Sequence, residues 1–299
     1  MHCLNHRIEL AVRDSVNDAC EINHFQAFMD TLYSLFSQSP KNTRELQEAA
    51  SALGVQLTKI GRILGVRWVA SSYRTVQSVW VGYPALVAHF KNAAVDTGRS
   101  GSERAKYTGL VKQMESFEFL ENVALMYDVL EELSSLSLLL QERSCTIPQA
   151  DKRIRRTIHV ISAMKTKPGE MVKQCQEAAT CGRFKDSVIM MSNSRIKRIN
   201  RLQFLTSIVN NLERRCFKTT ASHTKTTGRD HQIEDYSELL DELNILDSST
   251  WPDKLDATFG SSSVKAMCKR FGLDEIKMDI LDGYRDYTLT AVVDALRLS

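Results

Sequence analysis

Cys3 and His6 stand three residues apart in CLNHRIELAVRDS, one helical turn, so both side chains can face a single ligand. A thiol and an imidazole at that spacing suit half of a zinc site. Tetrahedral zinc asks for two further ligands, and no other Cys or His stands at motif spacing from this pair. The pair is therefore read either as packing residues or as part of a metal site. His24 beside Phe25 and His159 beside Ile158 have no partners at catalytic spacing, so neither a Ser-His-Asp nor a Cys-His relay can be assembled. No glycine-rich phosphate loop occurs either.

The cations carry the second chemical signal. From Asp151 to Arg215 there are 15 Lys and Arg against 5 Asp and Glu, a balance of +10. Residues 230–260 hold 9 acids against Lys254 alone, a balance of −8. Arg153, Arg155, Arg156, Arg195, Lys197, Arg198 and Arg201 form a candidate phosphate-binding surface, which would be sequence-independent and steeply salt-sensitive. A solvated face that aids solubility is the competing reading. The word Arg195-Ile196-Lys197-Arg198 is a weak nuclear-localisation signal.

These residues sit on elements that the apolar periodicity predicts to be helices. Phe25, Phe28, Met29, Leu32, Leu35 and Phe36 form one stripe that stops at Pro40, and LQEAASALG makes a short helix with Gly54 to end it. Tyr73, Val76, Trp80, Tyr83, Val87 and Phe90 form another, capped by Ser71 or Ser72 and kinked or split at Pro84, which has no N–H to donate. DTGRSGSER reads as an exposed loop. FEFLENVALMYDVLEELSSLSLLL is apolar on several sides and is expected at the centre of the fold. Further stripes follow at Ile154, Ile158 and Ile161, and at Leu202, Leu205, Val209 and Leu212, with GEMVKQCQEAATCG between them. Tyr236, Leu239, Leu240 and Leu243 give a helical signal in the acidic segment, and the last 36 residues are again helix-like. Strand signals are confined to GRILGVRWV and DSVIMM. The run 186–192 could add to a partner's sheet as SUMO-interacting segments do, although a buried connector is the default.

Bulk numbers bound the class. The 299 residues, 43% hydrophobic and 25% charged, suffice for one large or two modest domains with a real core. A net charge of +3 implies no polyanion partner by itself. Seven scattered cysteines without a CxxC, together with no secretory signal, predict a reducing compartment inside the cell. The longest apolar runs are far below the roughly 20 residues of a membrane span.

Taken with Arg67-Trp68 in LGVRWVASSYRTV, the Cys3–His6 helix resembles part of an hAT-superfamily transposase, closest to the domesticated, transposon-derived kind. LGVRWVASSYRTVQSVWVGYPALVAHF resembles the family's Arg-Trp segment and the helix after it. FEFLENVALMYDVLEELSSLSLLLQ, IRRTIHVISAM and INRLQFLTSIVNNLERR resemble its helical insertion. The resemblance implies a mostly α chain in three parts. These are a remnant of a ribonuclease-H-like core over residues 1–70, an insertion bundle over 71–217, and a linker, acidic segment and truncated helical region over 218–299.

It also implies what is missing. The family's first two metal-binding carboxylates precede the Cys-x-x-His helix, and its third lies in a Ser-Glu-Arg word after the insertion. Here Ser102-Glu103-Arg104 falls inside the insertion, so Glu103 reads as a surface or helix-start acid. The expectation is a protein that is not an enzyme, needs no cofactor, and acts by binding. Its partner would be DNA or nuclear proteins, with self-association through exposed apolar stripes and no membrane. Contacts to nucleic acid would run through Arg67, Trp68 stacking on an unpaired base, Cys3 and His6, and the basic residues above. The alternative is a protein-interaction scaffold, or an adaptor in SUMO or chromatin pathways, without nucleic-acid binding.

Overall fold

Apolar side chains at spacings of three and four can be covered only when helices pack stripe to stripe. The computed structural model describes residues 4–18, 20–61, 63, 68–143, 145–190, 196–217, 237–247, 251–252, 256, 258–273 and 276–297, in some of which only the backbone is placed. The chain is mostly helical, and the strands among the described residues form one two-stranded hairpin. It divides into two units, residues 1–141 with 156–220 and residues 142–155 with 221–299.

In the larger unit, α1 (Leu4–Asn17) buries Ile8, Ala11, Val12 and Val16 along α10 (Arg201–Cys216), which answers with Phe204, Leu205, Ile208 and Leu212. Leu202, expected in that stripe, is instead 56% exposed, because it lies in the first turn, before the packed stretch of α10 begins. Helix α2 (Cys20–Ser37) ends before Pro40, which opens α3 (Pro40–Ala52) behind the capping oxygen of Ser39. Gly54, at φ +64°, takes the left-handed conformation that follows α3.

Pro84 resolves as a split. Helix α4 (Trp68–Val81) stops at Gly82, and α5 (Tyr83–Val95) restarts with Pro84 in its first turn, where a missing N–H costs nothing. The α4 start is also earlier than its serines suggest. The Glu9 carboxylate, from α1, accepts a bond from the Val69 N–H at 3.1 Å, leaving Ser71 and Ser72 inside the helix.

The segment expected to be an exposed loop ends in α6 (Gly101–Met114), opened by a reciprocal capping box between Ser100 and Glu103. Arg99, just before it, is buried. Helix α7 (Phe117–Leu139) is central, with buried residues on nearly every side. After α8 (Ile147–Ala163) comes α9 (Glu170–Cys181), whose first turn is capped by Asp128 of α7 through the N–H groups of Met171 and Val172 at 2.9 and 3.1 Å.

Gly182 at φ +69° ends α9 and leads into β1 (Arg183–Phe184) and β2 (Ser187–Val188), antiparallel around Lys185 and Asp186, both at positive φ. Of GRILGVRWV, residues 62 and 64–67 lie outside the described residues, and Trp68 opens α4.

The smaller unit packs α11 (Ser237–Leu243), a 3-10 turn at Asn244–Leu246, α12 (Ser261–Arg270) and α13 (Lys277–Arg297) around Ile245, Val264, Cys268, Leu281 and Tyr284. The Trp251 indole N–H donates to the Ile245 carbonyl at 2.9 Å, and Arg270 grips Glu242 through two bonds of 3.1 Å. At its α12–α13 turn, Phe271, Ile276 and Met278 are about half exposed or more. No helix among the described residues is long and apolar enough to cross a membrane.

Candidate nucleic-acid interface

Of the residues expected to grip nucleic acid, some lie outside the described residues and the rest are divided between the two units. Cys3, Arg67 and Arg195 lie outside the described residues, as does the Trp68 side chain. His6 is exposed on α1, next to Asn5, whose side-chain amide oxygen accepts a 2.7 Å bond from the Ser137 hydroxyl of α7. Arg153 and Arg155 belong to the smaller unit, where Arg155 pairs with Asp151 at 2.8 Å one turn earlier on α8. Arg156, Lys197, Arg198 and Arg201 belong to the larger one.

Within that larger unit the cations are organised by one face of α7. Glu121, Asp128 and Glu132 recur there at helical spacing, Glu121 and Glu132 lying about three turns apart. Arg156 pairs with Glu132 at 3.1 Å and Arg198 with Glu121 at 2.5 Å. Arg198 also lies over the Phe117 ring, 5.2 Å from its centre. Burial pushes the Glu121 carboxyl above its ordinary range, and the charges of Arg198 and Arg201 pull it partly back. The expected basic surface is thus partly neutralised by carboxylates of the central helix.

What remains is a short cationic segment with a fixed path. Asn122 clamps it from α7: its amide donates to the Lys197 carbonyl at 3.0 Å and its oxygen accepts from the Ile199 N–H at 2.9 Å. Asn200 then caps α10 by accepting from the Gln203 N–H at 3.1 Å. Arg201, in the first turn, donates to the Lys165 carbonyl at 3.4 Å. Among the described residues, neither Lys197 nor Arg201 has a carboxylate within salt-bridge distance.

Two cavities flank the clamp. One, about 520 Å³, is lined by Glu121, Gln176, Arg198, Asn200 and Arg201 at the amino end of α10, where backbone N–H groups and the helix dipole favour negative charge. The other, about 250 Å³, lies on the Lys197 side between α2, α6 and α7. Asn122 lines both. No family model matches the chain, and no solved structure does. Among the described residues, no group of three or more His, Cys, Asp and Glu is placed to hold a metal ion.

Lys197, Arg198 and Arg201 were singled out from charge alone, but Glu121 and Asn122 were not. A polar pair interrupting FEFL-EN-VALM was the available signal, because a buried Asn inside an apolar helix needs partners for its whole amide. Within the run 186–192, Ile189 and Met190 are committed internally. Ile189 N–H bonds the Gly182 carbonyl at 2.9 Å, Met190 N–H bonds the Glu115 carbonyl at 2.7 Å, and the Met190 carbonyl accepts from Phe117 N–H at 3.1 Å. Residues 191–195 lie outside the described residues.

Proposed function

We propose that this chain is a binding protein for nucleic acid that grips without cutting, derived from an hAT-type transposase. The carrying observation is the clamped segment from Lys197 to Arg201, which sets cations at the amino end of α10 beside a cavity of about 520 Å³. Phosphate oxygens suit such a place, since Arg presents a planar fork of donors and the helix end presents N–H groups. The helical composition and the words that resemble the family's insertion support the origin, with residues 71–217 as the insertion bundle and 1–70 as the core remnant. DNA in the nucleus is the expected partner. Exposed Phe271, Ile276 and Met278 support weak self-association as a second property.

The scaffold reading has less behind it. Docking to a partner's sheet through 186–192 needs backbone groups that Ile189 and Met190 already spend inside the chain.

The test is fluorescence anisotropy of the full chain with labelled duplex and hairpin DNA across a salt series. Affinity should fall linearly in log salt, and the double variant K197E/R201E should abolish it. Undetectable binding at low salt overturns the reading. Magnesium-dependent nicking that disappears on substituting an acid of this chain overturns its non-cleaving half.

A further inference from the structure

Phosphate binding leaves the smaller cavity without a purpose. Its walls combine His24 and Phe28 of α2, Gln113 of α6, Phe119 and Asn122 of α7, and Lys197. Phe119 is almost fully buried, while Phe28 is half-buried and held edge-on against it, ring centres 4.6 Å apart. An apolar ring, an amide, an imidazole and an ammonium group around about 250 Å³ suit one flat heterocycle with polar edges. The space is below the roughly 300–1,000 Å³ typical of larger small-molecule sites. The Gln113 amide can both donate and accept, and Lys197 can donate to a ring carbonyl. Asn122 is held in the clamp, one amide N–H donating to Lys197 and its oxygen accepting from Ile199.

The two cavities share Asn122 as a wall, and the segment from Lys197 to Arg201 runs from one to the other. The geometry points to an unpaired nucleobase seated against Phe28, with the adjoining phosphates held by Lys197 and Arg201. This deepens the nucleic-acid reading above and rests on it. A base inside a duplex has its pairing edge and both faces occupied, so it cannot enter. The ligand class is therefore single-stranded nucleic acid, including hairpin loops and frayed ends. Stacking a base on an aromatic side chain tolerates any sequence, which suits a pocket with few edge contacts.

The full chain should bind a 12-nucleotide single strand more tightly than a duplex of the same sequence at equal salt. A 2-aminopurine placed in the strand reports stacking by its quenched fluorescence. Phe28→Ala should weaken single-strand binding about tenfold and relieve the quenching, while duplex affinity and the salt slope stay unchanged. K197E/R201E should abolish binding of both ligands. Phe28→Trp keeps a stacking ring, should preserve affinity, and should show indole quenching by an unlabelled strand, which covers the case in which the alanine variant unfolds. A folded Phe28→Ala protein with native single-strand affinity and quenching overturns the base pocket alone. So does Phe28→Trp without indole quenching. A native chain that binds neither ligand overturns the broader reading as well.

Discussion

Arg99 and Arg201 are the same side chain put to opposite uses. Arg99 is 5% exposed at its side chain, and its guanidinium is divided among Glu45, Asp96 at 3.3 Å, the Tyr107 hydroxyl at 3.0 Å and the Asn42 oxygen at 3.1 Å. The Tyr107 hydroxyl in turn donates to Asn42 at 2.8 Å, and the Asn42 amide donates to the Leu35 carbonyl at 3.3 Å. The network ties together α3, α6 and the end of α2. Arg201 donates one long bond to a carbonyl and faces a cavity. The difference separates a cation spent on holding helices together from a cation left for a ligand. Formal charge in the sequence does not distinguish them; the partners do.

The largest expected effect comes from breaking the spent one. Arg99→Ala costs the Asn42 oxygen and the Tyr107 hydroxyl one bond each and leaves Glu45 with the half-exposed Lys41 at 3.6 Å as its cationic partner. Removing one member of a buried ion pair costs about 3–5 kcal/mol. Because Glu45 keeps 25% of its side-chain surface, the lower end of that range is expected. Chemical denaturation of the full chain should show the midpoint falling with an unchanged slope. Arg99→Lys keeps charge but not the fork and should fall between. A loss below about 1 kcal/mol for Arg99→Ala would make the network a surface ornament rather than a fastener.

A smaller effect follows from His89, which lies against this network, 3.7 Å from Glu45 and 2% exposed at its side chain. Burial lowers its pKa from 6.5 to about 4, with Glu45 raising it and Arg99 lowering it. Phe36, Phe90 and Tyr107 surround its ring. The unfolded chain therefore takes up a proton first on acidification. Stability is fully present above pH 6.5 and is lost as pH falls toward 4, by at most about 3 kcal/mol for this group. His89→Phe removes the titration, so the difference between native and variant stability should change across pH 4–6.5 and stay flat above it. Parallel curves would mean that folding leaves the proton affinity of His89 unchanged.

Much of the fold was legible in the sequence because helical stripes are local. The central position of α7, the stop at Gly54 and the break at Pro84 each follow from residues within a few turns. The network was not legible, since Arg99 meets Asn42 across 57 residues and its segment reads as polar turn. The neutralisation of Arg198 by Glu121 was hidden for the same reason. The smaller unit draws residues 142–155 together with 221–299, segments that lie far apart in the chain.

The smallest effect on stability should accompany a clear effect on binding, and that contrast tests the comparison most sharply. Arg201→Ala gives up one 3.4 Å bond to a carbonyl at the edge of a cavity, so the unfolding free energy should change by no more than about 0.5 kcal/mol. If Arg201 contacts phosphate, the same variant should reduce the slope of log affinity against log salt by about 1 and weaken all sequences alike. A large loss of stability would place Arg201 with Arg99 among the fasteners. An unchanged salt slope would remove it from the interface and leave Lys197 to carry the phosphate contact alone.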